Sequence, residues 1–365
     1  MKVLILNNLP NETGIGRYAQ DLYDYLYPES ELINFPSKTD LLTGSFSGKV
    51  LKPTTHSKVI NAIARPVVQR KIIKYIDSFP DVVHYAGHSM YPLGKHSTIN
   101  RIGTIHDLIP LENFDGLMST IYYRRNIRAM LDITNLVVLT EIMKKKLLQE
   151  YHYSGRVFVV PHGYSRIFDS THSKENFIPF QREMDKHYIL SVSSDQPRKN
   201  LKILPAVMKI LGPSYKLVRI GPALPGTIAF DRVSSSQLVE IYRSCDVMIF
   251  PSLDEGFGRP MVEAFASALP VAASDIPVFR EIGGDAVEFF DPNKPGEAAE
   301  AVKRIMEDRE KYKVKSLERG RIYSPELFAE RMRHIYDEIS LKATIVSFIS
   351  LNSKLKHEFQ LHKKS

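Results

Sequence analysis

Glu255 and Glu263 stand with seven residues between them in the stretch Pro251-Ser252-Leu253-Asp254-Glu255-Gly256-Phe257-Gly258-Arg259-Pro260-Met261-Val262-Glu263-Ala264. A pair of carboxylates at that spacing arises often by chance, so the chemistry lies in its setting. The apolar run 246–250 before it reads as a strand, Gly256 and Gly258 allow a tight turn, and Pro260 opens a helix. A helix that begins at the carboxyl edge of a sheet offers unpaired first-turn N–H groups and the positive end of its dipole, which suits a phosphate. Glu263, about one turn in, can accept two hydrogen bonds from a ribose diol, and Glu255, on the loop, can hold sugar hydroxyls.

Three more segments carry polar side chains at strand ends. Ser191-Val192-Ser193-Ser194-Asp195-Gln196-Pro197-Arg198-Lys199-Asn200-Leu201 places the cations Arg198 and Lys199 before a helix; the alternative is a basic turn exposed to water. Asn11-Glu12-Thr13-Gly14-Ile15-Gly16-Arg17-Tyr18 brings Gly14 and Gly16 between a strand and a helix, where glycine lets a backbone approach a ligand closely. A dinucleotide-binding Gly-x-Gly-x-x-Gly is incomplete, because Ala19 occupies the third position. Thr104-Ile105-His106-Asp107-Leu108-Ile109-Pro110 ends a strand on a histidine and an aspartate; Asp107 either binds a substrate hydroxyl or caps the next turn. His162 reads as a hinge residue. Neither His84 nor His88 has a metal ligand's spacing to acidic residues, so no metal site is expected.

These residues need a scaffold, and the pattern of short β-branched runs alternating with amphipathic helices is that of parallel sheets covered on both faces. Strands are predicted at 3–7, 82–85, 102–106, 136–139 and 157–160, with helices at 15–26, 59–76, 120–131 and 142–149. The polar, aperiodic segment from Ser165 to Lys186 reads as a linker, assigned to 166–186. Strands then resume at 188–193, 216–220, 247–250, 271–273 and 287–290, with helices at 201–211, 237–244, 260–268 and 297–307. The expected organisation is one α/β domain over 1–165, a second over 187–323, and C-terminal helices over 324–365. Ser324-Pro325-Glu326 reads as the cap and first turn of a helix to about residue 339, packing back on the first domain.

The 365 residues exceed one ordinary core, and a composition of 25% charged and 43% hydrophobic residues excludes a disordered or fibrous chain. A net charge of +8 suits an anionic partner: nucleic acid, a membrane surface or a phosphorylated small molecule. No nucleic-acid fold signature is present, and no apolar run approaches the roughly 20 residues of a membrane span. The single Cys245 reads as a small core residue.

The Glu255 to Glu263 segment resembles the signature of glycosyltransferase family 4, retaining enzymes with the GT-B fold, whose hallmark is a Glu-x7-Glu pair. The continuation 273–286, followed by Phe289-Phe290-Asp291-Pro292, is similar to that family as well. The resemblance implies two Rossmann-like, doubly wound parallel-sheet domains facing each other across a cleft, the first on the acceptor side and the second on the donor side. It implies transfer of a hexosyl or deoxyhexosyl group, mannosyl or glucosyl, from a nucleotide-diphosphate sugar to a hydroxyl of a glycan, lipid-linked or protein-linked acceptor. The donor is then a substrate and no cofactor or metal is needed, in keeping with the absence of an Asp-x-Asp pattern. By the same resemblance His106 contacts the transferred sugar, Arg198 and Lys199 neutralise the diphosphate, and Gly14 and Gly16 lie near its phosphates. Phe257, Gly258 and Arg259 join Glu263 in holding the nucleotide. Where many members carry an arginine, this chain has Ser193, and Arg198 or Arg259 would replace that contact. The expected setting is cytoplasmic, with peripheral membrane contact through the basic tail as an alternative. Competing readings are a nucleotide-sugar epimerase or sugar-phosphate enzyme of the same fold, a dinucleotide-dependent oxidoreductase, and a non-catalytic sugar-nucleotide binder.

Overall fold

The computed structural model describes residues 1–9, 13–26, 30–34, 45–46, 49–50, 73–79, 81–88, 100–109, 117–168 and 180–362. The chain divides into two compact units, Met1–Val160 with Ala329–Ser365, and Pro161–Phe328.

Among the described residues the first unit holds an eight-stranded sheet. Its strands are β1 (Val3–Asn7), β2 (Ser30–Asn34), β3 (Ser45–Phe46), β4 (Lys49–Val50), β5 (Val82–Tyr85), β6 (Arg101–Ile105), β7 (Asn135–Val138) and β8 (Arg156–Val159), in the order β4-β3-β2-β1-β5-β6-β7-β8. Every residue of β1, β5, β6 and β7 is buried, as a parallel sheet with both faces covered requires. Among the described residues only β3 and β4 pair antiparallel, extending the edge beyond β2. The described helices before Val160 include α1 (Gly14–Leu26), α2 (Leu117–Met130) and α3 (Glu141–Gln149), the last capped by Thr140, whose Oγ1 accepts the Met143 N–H at 3.1 Å. The helix expected at 59–76 lies largely outside the described residues; residues 73–78 are helical.

The second unit is built on β9 (His187–Val192), β10 (Tyr215–Ile220), β11 (Ile228–Phe230), β12 (Val247–Phe250), β13 (Val271–Ser274) and β14 (Val287–Phe290), all parallel, in the order β11-β10-β9-β12-β13-β14. Around it run α4 (Leu204–Leu211), α5 (Ser235–Ser244), α6 (Arg259–Ala266), α7 (Pro277–Gly283), α8 (Pro295–Glu307) and α9 (Arg309–Arg321). Leu204 and Val207 of α4 and Ala298, Val302 and Ile305 of α8 cover Ile189, Val247 and Ile249 of the sheet. Each such side chain contributes about 1.5 to 3 kcal/mol by leaving water, and this fixes the strands whose ends carry the polar loops.

The two-sheet architecture is the one the pattern implies, with several local differences. The 201–211 helix starts as a tight turn, Leu201–Ile203, because Asn200 before it takes a left-handed φ of 53°. The C-terminal helix α10 (Pro325–His362) runs unbroken past residue 339, and its residues from Ala329 belong to the first unit. The expected linker falls within the range of the second unit; residues 169–179 of it lie outside the described residues. From Phe180 onward the segment is tied down: Arg182 Nη2 reaches both Asp246 carboxylate oxygens at 2.8 and 3.1 Å, and the Phe180 ring stacks on Tyr188.

Candidate functional site

In the second unit β9 and β12 are neighbours, yet the chain leaves β9 toward β10 and leaves β12 toward β13, in opposite directions along the sheet. Loops at such a reversal splay apart at the carboxyl ends of the strands, leaving a place for a ligand. Those two loops carry Arg198 with Lys199 and Glu255. They are laced together: the Leu253 N–H donates to the Arg198 carbonyl at 2.7 Å, and Arg198 Nη1 donates to the Asp254 carbonyl at 3.1 Å. Asn200, whose amide donates to the Pro292 carbonyl at 2.8 Å, sets the turn that follows the cations.

Glu255 accepts from Lys199 Nζ at 2.5 Å, Arg198 Nη1 at 3.1 Å and Ser252 Oγ at 2.8 Å. The structure therefore brings Glu255, Arg198 and Lys199 into one cluster. They meet as partners of one another, a relation that separate roles toward sugar and phosphate did not include.

Glu263 is buried one turn into α6. Its Oε2 accepts the Tyr242 hydroxyl at 2.9 Å and its Oε1 lies 3.4 Å from Arg259 Nε. Gly258 precedes the helix with φ 98°, a conformation that L side chains rarely adopt. The helix start is a thinner phosphate cradle than its sequence suggests: Pro260 has no N–H, and the Met261 N–H already donates to the Gly258 carbonyl at 2.9 Å. Phe257 turns its ring inward against His162 and Tyr323, so a ligand contact by this residue falls to its backbone. Ser193, at the strand end where the family resemblance implies an arginine, is met by an arginine from the neighbouring strand: Arg219 Nη1 donates to its Oγ at 3.2 Å and Nη2 to its carbonyl at 3.1 Å.

In the first unit the corresponding reversal lies between β1 and β5. Gly14 and Gly16 open α1 there, but the Gly16 N–H donates to Thr13 Oγ1 at 3.0 Å, so this amide caps its own helix. His106 follows β6 and is buried. Its Nε2 lies 2.7 Å from the Ala86 carbonyl, its backbone N–H donates to His88 Nδ1 at 3.2 Å, and its ring meets that of Tyr18 edge-on at 4.8 Å. Behind it His84 bridges Thr104 Oγ1 (2.7 Å) and the Tyr336 hydroxyl (2.6 Å), and Thr104 in turn meets the Tyr18 hydroxyl at 2.8 Å. Burial holds His84 down to about 3 and His88 to about 4, keeping both imidazoles neutral near pH 7. Asp107 Oδ1 lies 4.0 Å from His88 Nε2.

Residues 173–317, less than half of the chain and all within the second unit, match the family described as Glycosyl transferases group 1. The chain is 26% identical over 235 residues to the O-antigen chain mannosyltransferase RfbU of Salmonella typhimurium, a match covering 60% of this chain and 63%, under two thirds, of that protein. Among solved structures, sucrose-phosphate synthase from Thermosynechococcus elongatus superposes with a TM-score of 0.71 at 16% identity, over 93% of this chain and 99% of that one. Anabaena Alr3699/HepE, in complex with UDP and glucose, gives 0.65 at 14% identity, over 93% and 100%. The fold is GT-B.

Within this GT-B chain, several residues around the candidate sites escaped the sequence reading. Ser252, Tyr242 and Arg219 orient charged or polar groups from positions with no distinctive spacing, so only the sheet order reveals them. Gly87 had a legible signal, a glycine just past a strand end. A Cβ there would come within 2.6 Å of Ile15 Cγ2 and 3.6 Å of the His106 ring, so glycine is what lets α1 and the His106 strand end converge. Among the described residues, no group of three or more His, Cys, Asp or Glu side chains is placed to hold a metal ion, and no helix is long and apolar enough to cross a membrane.

Proposed function

We propose that this chain is a retaining glycosyltransferase of the family 4 type, moving a hexosyl or deoxyhexosyl group from a nucleotide-diphosphate sugar to an acceptor hydroxyl without a metal ion. The observation that carries the reading is the cluster of Arg198, Lys199 and Glu255 at the chain reversal of the sheet that carries the group 1 match. Two fixed cations suit a leaving diphosphate, whose charge grows as its bond to the sugar breaks. In the step proposed, the bond from the anomeric carbon to the phosphate oxygen breaks while the acceptor oxygen bonds to the same face. The acceptor's proton passes to the departing phosphate, so no protein nucleophile is used. Glu263 holds the nucleotide ribose, and His106 contacts the transferred sugar. Likeness to a mannosyltransferase favours mannose as the sugar and a growing glycan as the acceptor.

The test is a thermal-shift panel of UDP, GDP, ADP and their sugars, followed by transfer to a glycan acceptor in excess EDTA and assignment of the new anomeric centre by proton NMR. Retention without added metal is expected. Inversion or a strict Mg²⁺ or Mn²⁺ requirement overturns the mechanism, and an isomerised sugar formed without acceptor points to an epimerase of the same fold.

A further inference from the structure

The cations assigned to the donor's diphosphate already have an anion. Lys199 and Arg198 grip opposite oxygens of the Glu255 carboxylate, and Ser252 adds a hydroxyl. The carboxylate is 8% exposed and the lysine 13%, so water screens the attraction only in part. A diphosphate entering here brings further negative charge to the same two cations. Carboxylate and diphosphate repel one another, and both cannot keep the short contacts that Glu255 now makes.

We propose that Glu255 is the resident counter-ion of Lys199 and Arg198, displaced when the donor binds and returning to expel the nucleoside diphosphate after transfer. The inference rests on the nucleotide-sugar reading. While the sugar is attached, its hydroxyls give the displaced carboxylate hydrogen-bond donors close to the diphosphate. Once the sugar has left, those donors are gone and the carboxylate competes again for the cations. Glu255 therefore favours the intact donor over the spent nucleotide, a discrimination made by one charge against another.

Calorimetric titration of wild type and Glu255→Gln with inorganic pyrophosphate, with the nucleoside diphosphate selected by the panel, and with its sugar conjugate tests this. The glutamine removes the competing charge and keeps the shape. The variant is expected to bind pyrophosphate and the nucleoside diphosphate about ten-fold tighter than wild type, the scale of one like-charge repulsion in a partly screened site. Its affinity for the sugar conjugate should change less, and its transfer should be slow and strongly product-inhibited. Adding Lys199→Met should abolish most of the gain. Should Glu255→Gln lose its cooperative unfolding, Ser252→Ala, which loosens the carboxylate, is expected to show a smaller tightening. Equal or weaker diphosphate binding by folded Glu255→Gln, with wild-type binding intact, overturns the counter-ion role and leaves the transferase reading standing. Tighter pyrophosphate binding with no nucleoside diphosphate recognised by either protein supports the counter-ion role and sinks the nucleotide-sugar reading.

Discussion

His106 illustrates how a neighbour changes what a side chain can offer. The Ala86 carbonyl, 2.7 Å from Nε2, can only accept, so Nε2 carries a proton and gives it to this contact. His106→Ala is expected to lose roughly 2 to 4 kcal/mol of transition-state stabilisation with near-normal nucleotide affinity, read as kcat against calorimetric Kd. Because the variant also leaves the buried Ala86 carbonyl without this donor, about 1 to 3 kcal/mol of stability should go as well. Wild-type turnover in a folded His106→Ala would reduce the residue to a structural one. Tyr242→Phe belongs to the same scale: it takes one donor from the buried Glu263 carboxylate. It should lower the melting temperature and weaken nucleotide binding; unchanged affinity would detach Glu263 from the ribose.

The turn into α6 depends on Gly258. Gly258→Ala would hold alanine at φ 98° with its Cβ 2.9 Å from the Phe279 ring. A cost of about 2 kcal/mol or more in urea unfolding is expected, from left-handed strain plus the clash; a neutral result would mean the turn relaxes freely. The same elements show what was legible in the sequence. β5 and β12 have the bounds their sequence implies, since a fully buried parallel strand leaves a strong signal, and β14 has them too although Glu288 and Phe289 are only half-buried. β11 was missed because three residues, Ile228–Phe230, become a strand only by pairing with β10. α9 was missed because it is mostly charged; it is held by polar ties such as Arg309 to Asp246, Lys315 to Asp285 and Arg319 Nε to the Ile282 carbonyl. At the candidate site, strand-end position marked out Arg198, Lys199 and Glu255. Their mutual pairing could not be read, because it depends on β9 lying beside β12.

Across the whole molecule, the buried neutral histidines couple stability to pH. Unfolded, His84 and His88 titrate near 6.5; folded, they are held at about 3 and about 4. Between pH 6.5 and 4 the unfolded chain thus binds protons that the folded one refuses, and stability falls as the pH falls. Each histidine should remove about 2 kcal/mol by pH 5 relative to pH 7. Urea unfolding of the first unit at the two pH values measures this, and His88→Asn, which keeps an acceptor for the His106 N–H, should show a shallower loss. Stability unchanged between pH 7 and 5 would contradict the buried neutral state.

The first unit is assembled from two stretches that lie far apart in sequence. Met332, Tyr336 and Ile339 are fully buried, and Tyr336 supplies the hydroxyl that His84 needs. On the ribosome, where earlier segments fold as they emerge, the second unit has all of its own residues while the first still lacks a wall of its core. Nascent chains arrested with Phe328 just clear of the exit tunnel should therefore yield a protease-resistant fragment of the second unit, and the first unit should become resistant only when Ile339 has followed.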